Sequence, residues 1–465
     1  VAVADKHSKI KQGGFGRSLT VSLAGLRAGG ALALDGAFQK LRGADGEVAD
    51  SAFARREARR FVGELGRLKG TYVKIGQMLA LLGEHFLPSA LTEALHELAA
   101  DTEPLPWAVV EPILAGALGE RMGELEIERT AIAAASLAQV HRATIIASGE
   151  QICLKVQYPD LAEVIDADFD AVVRMLVLAR WVKSGRELDE WLQDLRVQLH
   201  HEIDYPREIE MTQRVAALVA ASAEDAEVGG VRYHVPRIHE RYCSSQVIAM
   251  EFVHGHLVTH AEIAGLSQAR RNALGRSMLE LFFFELYQWG VLQTDPNFGN
   301  YLIRCEQPPD ELVLLDFGSI LHCEDYFLDH LGNAIFAGQS NDRELLADSL
   351  IGLDCLPADA SQEARDLFTD FCLHLLEPLR PPELLPPEYL NRKGEYCWAK
   401  SRLVRRAGKQ AAVSARSRHF SAPSREFAMI ARKLSGVFTF IAVLNAEFNA
   451  HDIVQRHIER WVQEH

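Results

Sequence analysis

The sequence predicts an α+β fold in which a small mixed region is set between larger helical ones. Three observations carry that reading. Apolar residues recur at three and four spacing through "ARREARRFVGELGRLKGTYVKIGQMLALLGEHFL" (54–87) and again from about residue 325 onwards, the spacing of amphipathic helices. Between them lie short runs rich in apolar and β-branched residues, "QICLKVQ" (151–157), "QVIAMEFV" (246–253) and "ELVLLDF" (311–317), which suit strands. Proline-rich breaks, "TEPLPW" (102–107) and "LEPLRPPELLPPEYL" (376–390), punctuate the helical parts, because proline lacks a donor and clashes with the preceding turn.

Taken in order, residues 1–52 read as a basic tail and a small-residue amphipathic helix. Lys6, Lys9, Lys11 and Arg17 stand against the single acid Asp5, ahead of "SLTVSLAGLRAGGALALDGAF" (18–38), which carries Arg27 in its middle. A basic flank before such a segment fits an element lying on an anionic membrane surface. A solvated tail followed by a helix docked on the protein fits equally. Residues 53–130 read as a helical extension, whose first helix stops at Pro88 and whose second is "ALTEALHELAAD". Residues 131–256 hold the lysine-bearing strand and a long helical stretch over about 160–222, where Pro206 must kink or restart the helix. Residues 257–465 are mostly helical, and "GVFTFIAVL" (436–444) reads as a buried helix. No run approaches the roughly 20 consecutive apolar residues of a spanning helix. No cleavable signal peptide and no internal repeat are evident.

A chain of 465 residues suffices for two or three domains, or for one two-lobed enzyme with additions. Hydrophobic content of 48% with 24% charged residues is ordinary for a soluble globular protein. The net charge of -15 repels phosphate, which argues against nucleic acid as a partner. The seven cysteines are scattered without a C-x-x-C pair, so a zinc site and a disulfide framework are not indicated. A reducing cytosolic compartment follows as the expectation.

The chemistry concentrates in two stretches. "LQTDPNFGN" (292–300) sets Asp295 and Asn300 at the spacing by which protein kinases place a catalytic base and a metal ligand on one loop. Gln293-Thr294 stands where a kinase has His-Arg. "LLDFGSI" puts Asp316 at the end of an apolar strand. Alone, an Asp-Phe-Gly turn can simply close a hairpin. After Asn300 it completes the order base, metal ligand, metal ligand, all oxygen donors of the kind Mg²⁺ requires.

Upstream, Lys155 lies within "ICLKVQ". By itself it reads as an edge-strand snorkeller. With Glu208 on the following helix as its partner it matches the pair that orients an ammonium towards the α and β phosphates of ATP. In "VIAMEFVHG", Glu251 to Val253 stand where a hinge would offer backbone groups to adenine. A glycine-rich loop is missing. Ala133, Ala134, Ala135 and Ser136 occupy its place, and alanine's Cβ limits close approach to phosphate. "GGFG" (13–16) precedes no lysine strand at the right distance. Lys74 and Gln77 of "KIGQ" share a helix face, and "HEIDYPRE" places Glu202 and Asp204 just before Glu208. Together these suggest a polar contact between the helical extension and the main body. Arg402, Arg405, Arg406, Arg416 and Arg418 form a solvated face or a contact for anionic lipid.

These motifs resemble, in order and spacing, those of the UbiB family of atypical protein-kinase-like proteins (AarF/UbiB/ADCK type), most closely its coenzyme Q biosynthesis branch. "KIGQ" resembles the K-x-G-Q motif, "AAAS" the alanine-rich loop, "LKVQYP" the lysine strand, "EID" the E-x-D motif, and Gln293 to Asn297 the Q-T-D-P-N catalytic loop. "RKLSGVFTF" also looks familial. The resemblance implies a two-lobed protein-kinase-like fold, with a small mixed N-lobe, a helical C-lobe and an N-terminal helical extension carrying the KxGQ motif over the active site. In it Lys74 and Gln77 reach into the nucleotide pocket, where Glu202 and Asp204 hold the extension. The implied activity is binding and slow hydrolysis of ATP with Mg²⁺, linked to isoprenoid-quinone (ubiquinone) synthesis at a membrane surface. Asp295 would act on the attacking water, Asn300 and Asp316 would hold metal, and Lys155 with Glu208 would clamp phosphate. The implied partners are nucleotide, membrane lipids or quinone precursors, and enzymes of quinone biosynthesis, with the protein cytoplasmic and peripherally membrane-associated. A nucleotide-gated lipid-binding chaperone is the alternative of another class. A true protein or small-molecule kinase is the third, disfavoured because the alanine loop and the K-I-G-Q extension crowd the acceptor's place.

Overall fold

In a computed structural model of the chain, the described residues are 52–68, 70–80, 87, 89–96, 103–178, 181–182, 186–222, 230–415 and 423–464. The basic tail with its small-residue segment, and Arg416 and Arg418, lie outside them. In chain order the first elements are α1 (Ala52–Leu68), α2 (Thr71–Ala80), α3 (Ser89–His96), α4 (Trp107–Leu118), β1 (Leu125–Ile127), β2 (Ala133–Ala134), β3 (Ala138–Ile145) and β4 (Gln151–Gln157). Then come α5 (Leu161–Leu178), α6 (Arg186–His201), α7 (Tyr205–Ala221), β5 (Val231–His234) and β6 (Val247–Glu251). The rest comprises α8 (Ala261–Ala264), α9 (Gln268–Phe283), β7 (Leu292–Gln293), β8 (Tyr301–Arg304), β9 (Asp310–Leu314), β10 (Ile320–Leu321) and seven further helices. These are α10 (Asp325–Ser340), α11 (Arg343–Gly352), α12 (Gln362–Leu375), α13 (Trp398–Ser401), α14 (Leu403–Ala415), α15 (Arg425–Val443) and α16 (His451–Glu464), the first of them following β10 directly. The fold is thus mixed α+β and largely helical, with small sheets, and it is consistent with a kinase-like arrangement.

Two units divide the chain: Val1–Arg207 with Ile238–Phe252, and Glu208–Arg237 with Val253–His465. In the first, an antiparallel sheet runs β1-β3-β4-β6, with β2 folded back on β3. Residues 119–127, expected to be helical, instead form a 3₁₀ turn and strand β1. Gly119 ends α4 at φ +58°, a conformation open to glycine, and Leu125-Glu126-Ile127 alternates inward and outward at strand period. One face of the sheet buries Ile152, Leu154, Val247 and Ala249 against Val110, Leu114 and Leu118 of α4. A second core joins Phe61, Leu65, Tyr72, Ile75 and Leu79 of α1 and α2 to Ile165, Phe169 and Val172 of α5 and Leu195 and Leu199 of α6. A buried hydrogen bond from Thr71 Oγ1 to Asp168 pins the start of α2 to α5.

The long helical stretch over 160–222 is three helices. Pro206 restarts it: Tyr205 opens α7 and Pro206 falls in its first turn, where a missing N–H leaves no bond unmade. In the second unit β5-β9-β8 make a sheet with β5 parallel to β9, and β7 pairs with β10. Its core centres on α9, the π-helical turn Phe284–Gln288 and α15, where Phe282, Phe283, Val437, Phe440 and Ile441 are almost wholly buried. Apolar "GVFTFIAVL" forms the last turns of α15 and its cap Leu444, with Val437, Phe438, Phe440, Ile441 and Leu444 buried and Val443 exposed.

Candidate active site

Two short ladders build the site in the second unit. β7 pairs antiparallel with β10, Ile320 opposite Gln293, and β8 pairs antiparallel with β9, Tyr301 opposite Leu314. The first ladder lies before Asp295 and after Gly318; the second lies after Asn300 and before Asp316. The loops carrying the three predicted residues are therefore bracketed at both ends. Between the ladders the Thr294 amide donates to Ser319 O at 3.0 Å, the two hydroxyls meet at 2.7 Å, and the Leu315 amide donates to Asn300 O at 3.0 Å.

Within the first loop, Asn300 Nδ2 donates to Asp295 Oδ2 at 3.0 Å and to Asp295 O at 3.2 Å. That orientation commits the amide nitrogen to Asp295 and turns its oxygen elsewhere, as a metal ligand must be turned. In the second loop the Gly318 amide donates to Asp316 Oδ1 at 2.9 Å. A Cβ at Gly318 would meet Asp316 Oδ1 at 3.3 Å and Glu208 Oε2 at 3.6 Å, so this glycine makes room for two carboxylates side by side. Asn300 and Asp316 are oxygen donors, the kind a hard divalent ion such as Mg²⁺ takes, so the residues fit the implied metal.

One helix outside these motifs reaches the loop repeatedly. From α15, Arg432 Nη2 lies 3.5 Å from Asp295 Oδ1. Lys433 Nζ donates to Gln293 Oε1 at 2.8 Å and to Tyr301 Oη at 2.6 Å, and Tyr301 Oη donates to Gln293 Oε1 at 3.0 Å. A Cβ at Gly436 would come within 2.1 Å of Pro296 Cβ, so helix and loop touch there backbone to ring. Phe440 packs edge-on against Phe298 and Tyr301, at centroid distances of 5.9 and 6.0 Å. Positions 432, 436 and 440 are four apart and share one face of α15.

Lys433 is also paired with Glu285 Oε2 at 3.2 Å. Burial pushes the Glu285 carboxyl up to about 7, against the pull of the Lys433 ammonium. Burial likewise pushes the Lys433 ammonium below its ordinary value, opposed by Glu285. The Tyr301 phenol is driven well up by burial and stays a neutral donor. The sequence reading missed Lys433, Glu285, Tyr301, Arg432 and Gly436. A visible sign was available, since Lys433 falls on the apolar face of its helix with Val437 and Phe440.

The remaining predicted residues lie mostly in the first unit. Lys155 sits on β4 opposite Val140 and Ile248, its ammonium 5.4 Å from the centre of the Tyr205 ring at the start of α7. The alanine loop is the tight hairpin between β2 and β3: Ala133 and Ala134 pair with Val140 and Gln139, and the Ala135 amide donates to Ala138 O. Ser136 is buried, and its carbonyl oxygen would lie 3.9 Å from a Cβ at Gly70, just ahead of α2. On α2, Lys74 Nζ lies 2.6 Å from Glu202 Oε1. Gln77 is half-buried on the same helix. Asp204 Oδ1 accepts from the Arg207 amide at 3.2 Å and so caps α7. The Gln157 side chain donates to Ile203 O at 2.8 Å, fixing this segment to the end of β4. Glu251 ends β6 opposite Ile152, and the division between the units falls between Phe252 and Val253. His256, His260 and Glu262 gather on the surface of the second unit, with His256 Nε2 2.7 Å from Glu262 Oε2.

Comparison with known proteins agrees with the motifs. The chain is similar to the probable serine/threonine-protein kinase abkA of Dictyostelium discoideum, 27% identical over 86% of this chain and 70% of that one. It is similar to the mitochondrial atypical kinase COQ8B of Rattus norvegicus, 27% identical over 87% of this chain and 72% of the relative. The mitochondrial atypical kinase COQ8 of Saccharomyces cerevisiae is 28% identical over 69% of this chain and 62% of its own length. In fold it resembles Rv3197 from Mycobacterium tuberculosis, solved with erythromycin, with a TM-score of 0.58 and 22% identity over 86% of this chain and 94% of that one. Residues 97–350, more than half of the chain and all of the Asp295, Asn300 and Asp316 loops, match the ABC1 atypical kinase-like domain, and the chain belongs to that family.

Proposed function

We propose that this protein is an Mg²⁺-dependent, kinase-like ATPase that supports isoprenoid-quinone biosynthesis at a membrane surface. The observation that carries the reading is the double bracket of β7–β10 and β8–β9 around the Asp295–Asn300 and Asp316–Gly318 loops. Preorganisation of this kind is what phosphoryl transfer asks of a protein, since catalysis there is positioning plus electrostatics.

In this reading Asn300 and Asp316 would hold Mg²⁺, which would neutralise charge on the phosphates. Lys155, oriented by Glu208, grips the α and β phosphates. The hinge from Glu251 to Val253 receives adenine, and the loop Ala133 to Ser136 covers the phosphates with a looser grip than glycines would give. Asp295 accepts a proton from the water that attacks the γ-phosphorus. The bond to the β–γ bridging oxygen breaks, leaving ADP and inorganic phosphate. Such a base contributes about 10²–10⁴-fold. Lys74, paired with Glu202, and Gln77 would, as in the family resemblance, take the place a protein acceptor needs, which favours water over a hydroxyl in trans.

The likeness of the Q-T-D-P-N loop to the coenzyme Q branch, and of the chain to COQ8 proteins, supports a link to quinone synthesis. No helix among the described residues is long and apolar enough to cross a membrane. Attachment to a surface, and with it contact with lipids or quinone precursors, rests on the basic charges of residues 1–52. Steady-state ATP hydrolysis with Mg²⁺ tests the proposal: Asp295→Asn and Asp316→Asn should each lower kcat by about 10²-fold or more. Wild-type turnover in both variants would refute it.

A further inference from the structure

Among the described residues Lys433 is the one fully buried lysine or arginine, 1% exposed. An ammonium has three donors, and here they face Gln293 Oε1 at 2.8 Å, Tyr301 Oη at 2.6 Å and Glu285 Oε2 at 3.2 Å. Two of these acceptors stand at the two ends of one loop. Gln293 comes just before Thr294-Asp295, and Tyr301 directly follows Asn300. Gln293 Oε1 accepts from both Lys433 and Tyr301, so its amide is held in a single orientation.

Stability alone does not account for this pair. A buried lysine and carboxylate lose their hydration, and apolar residues of the same volume generally serve a core as well or better. What a buried charge supplies instead is registry, because its neighbours must present acceptors in one arrangement. That arrangement here is the spacing between the ends of the Asp295–Asn300 loop. The anchor comes from α15, well beyond residue 350, where the match to the family domain ends.

We infer that Lys433 is a positioning residue which clamps both ends of the Asp295–Asn300 loop through Gln293 and Tyr301. The inference rests on the reading of Asp295 as the residue that acts on water. It explains why glutamine is serviceable at position 293: its carbonyl oxygen accepts two hydrogen bonds at once, whereas a neutral imidazole has one acceptor nitrogen.

The test compares ATP hydrolysis by the full chain in five forms: wild type, Asp295→Asn, Gln293→Leu, Glu285→Leu/Lys433→Met, and the triple variant joining the last two. Lys433→Met alone would strand Glu285, so the paired change is used to keep the core neutral and folded. Glu285→Leu/Lys433→Met should melt close to wild type and keep KM for ATP, while kcat falls about 10–100-fold, the effect of a small misplacement of reacting groups. Gln293→Leu should lower kcat similarly, and in the triple variant the two losses should overlap rather than multiply, because both act through one contact. Wild-type kcat in Glu285→Leu/Lys433→Met or in Gln293→Leu, or losses that multiply in the triple variant, would overturn the clamp while an inactive Asp295→Asn left the ATPase reading standing. Full turnover by Asp295→Asn would remove the reading on which the clamp rests.

Discussion

Lys74 Nζ lies 2.6 Å from Glu202 Oε1, with 17% and 22% of the two side chains exposed. The contact joins the K-I-G-Q helix α2 to the segment that leads into α7. Its energy should exceed that of a surface pair, for which about 0–1 kcal/mol is usual, and fall short of the 3–5 kcal/mol lost on breaking a fully buried one. A double-mutant cycle of Lys74→Ala and Glu202→Ala, read by native-state hydrogen exchange of α2 amides, should give a coupling of roughly 1–2 kcal/mol. Additive effects would mean that the pair holds nothing in place.

Asp204 acts on the next helix instead. Its carboxylate accepts the Arg207 amide at 3.2 Å, with Pro206 between them in the first turn of α7. Loss of such a cap costs about 1 kcal/mol, whereas asparagine or serine retains an acceptor. Asp204→Ala should speed exchange of the Arg207 and Glu208 amides about fivefold by that measure, and Asp204→Asn should leave it near wild type. Equal protection in both variants would remove the capping role.

Acid should loosen the first unit at a defined place. Hydrogen bonds from the Arg241 guanidinium and then the Tyr242 hydroxyl hold the Glu124 carboxyl from its ordinary 4.5 down to about 2. A depressed folded value means that the stabilisation is complete above 4.5 and is lost as pH falls towards 2. Glu124→Gln should therefore be less stable than wild type above 4.5, and the two profiles should converge as pH falls towards 2. The Arg241–Glu124 pair is exposed, so added salt should shrink the difference. An acid limb identical in wild type and Glu124→Gln would rule out this linkage.

Periodicity makes much of the fold legible in the sequence. The run "QICLKVQ" is β4, the stop at Pro206 is the start of α7, and "GVFTFIAVL" lies in a buried helix. Strand β1 was not legible, because three residues after a helix carry too short an alternation to outweigh the helical run before them. The site divides the same way. Asp295, Asn300 and Asp316 sit on local motifs, and their ladders follow from short-range pairing. Lys433 meets Gln293 across 140 residues of chain, and no spacing rule reaches that far. In the sequence it shows as a cation at an apolar helical position within the familial-looking stretch "RKLSGVFTF", with nothing local to name its partner. Asp204 was grouped with Glu202 as a polar contact, because a capping residue and an ion-pair residue look alike until the helix start is fixed.

The contact between α15 and the loop can be tested without touching a polar group. Replacing glycine by alanine inside a helix ordinarily stabilises by about 0.5–1 kcal/mol. At Gly436 the added Cβ would fall 2.1 Å from Pro296 Cβ, far inside contact distance, and a proline ring cannot swing aside as a flexible side chain can. Overpacking of this kind costs about 1–3 kcal/mol, so the clash should win and the loop should shift. Pro296 is bonded to Asp295, and the base moves with it. Gly436→Ala should therefore lower kcat for ATP about 10-fold or more with little change in KM. Gly408 of α14 is the matched control, since a Cβ there meets nothing within 4 Å. Gly408→Ala should keep full activity and melt no lower than wild type. Wild-type turnover by Gly436→Ala would show that α15 does not set the position of Asp295.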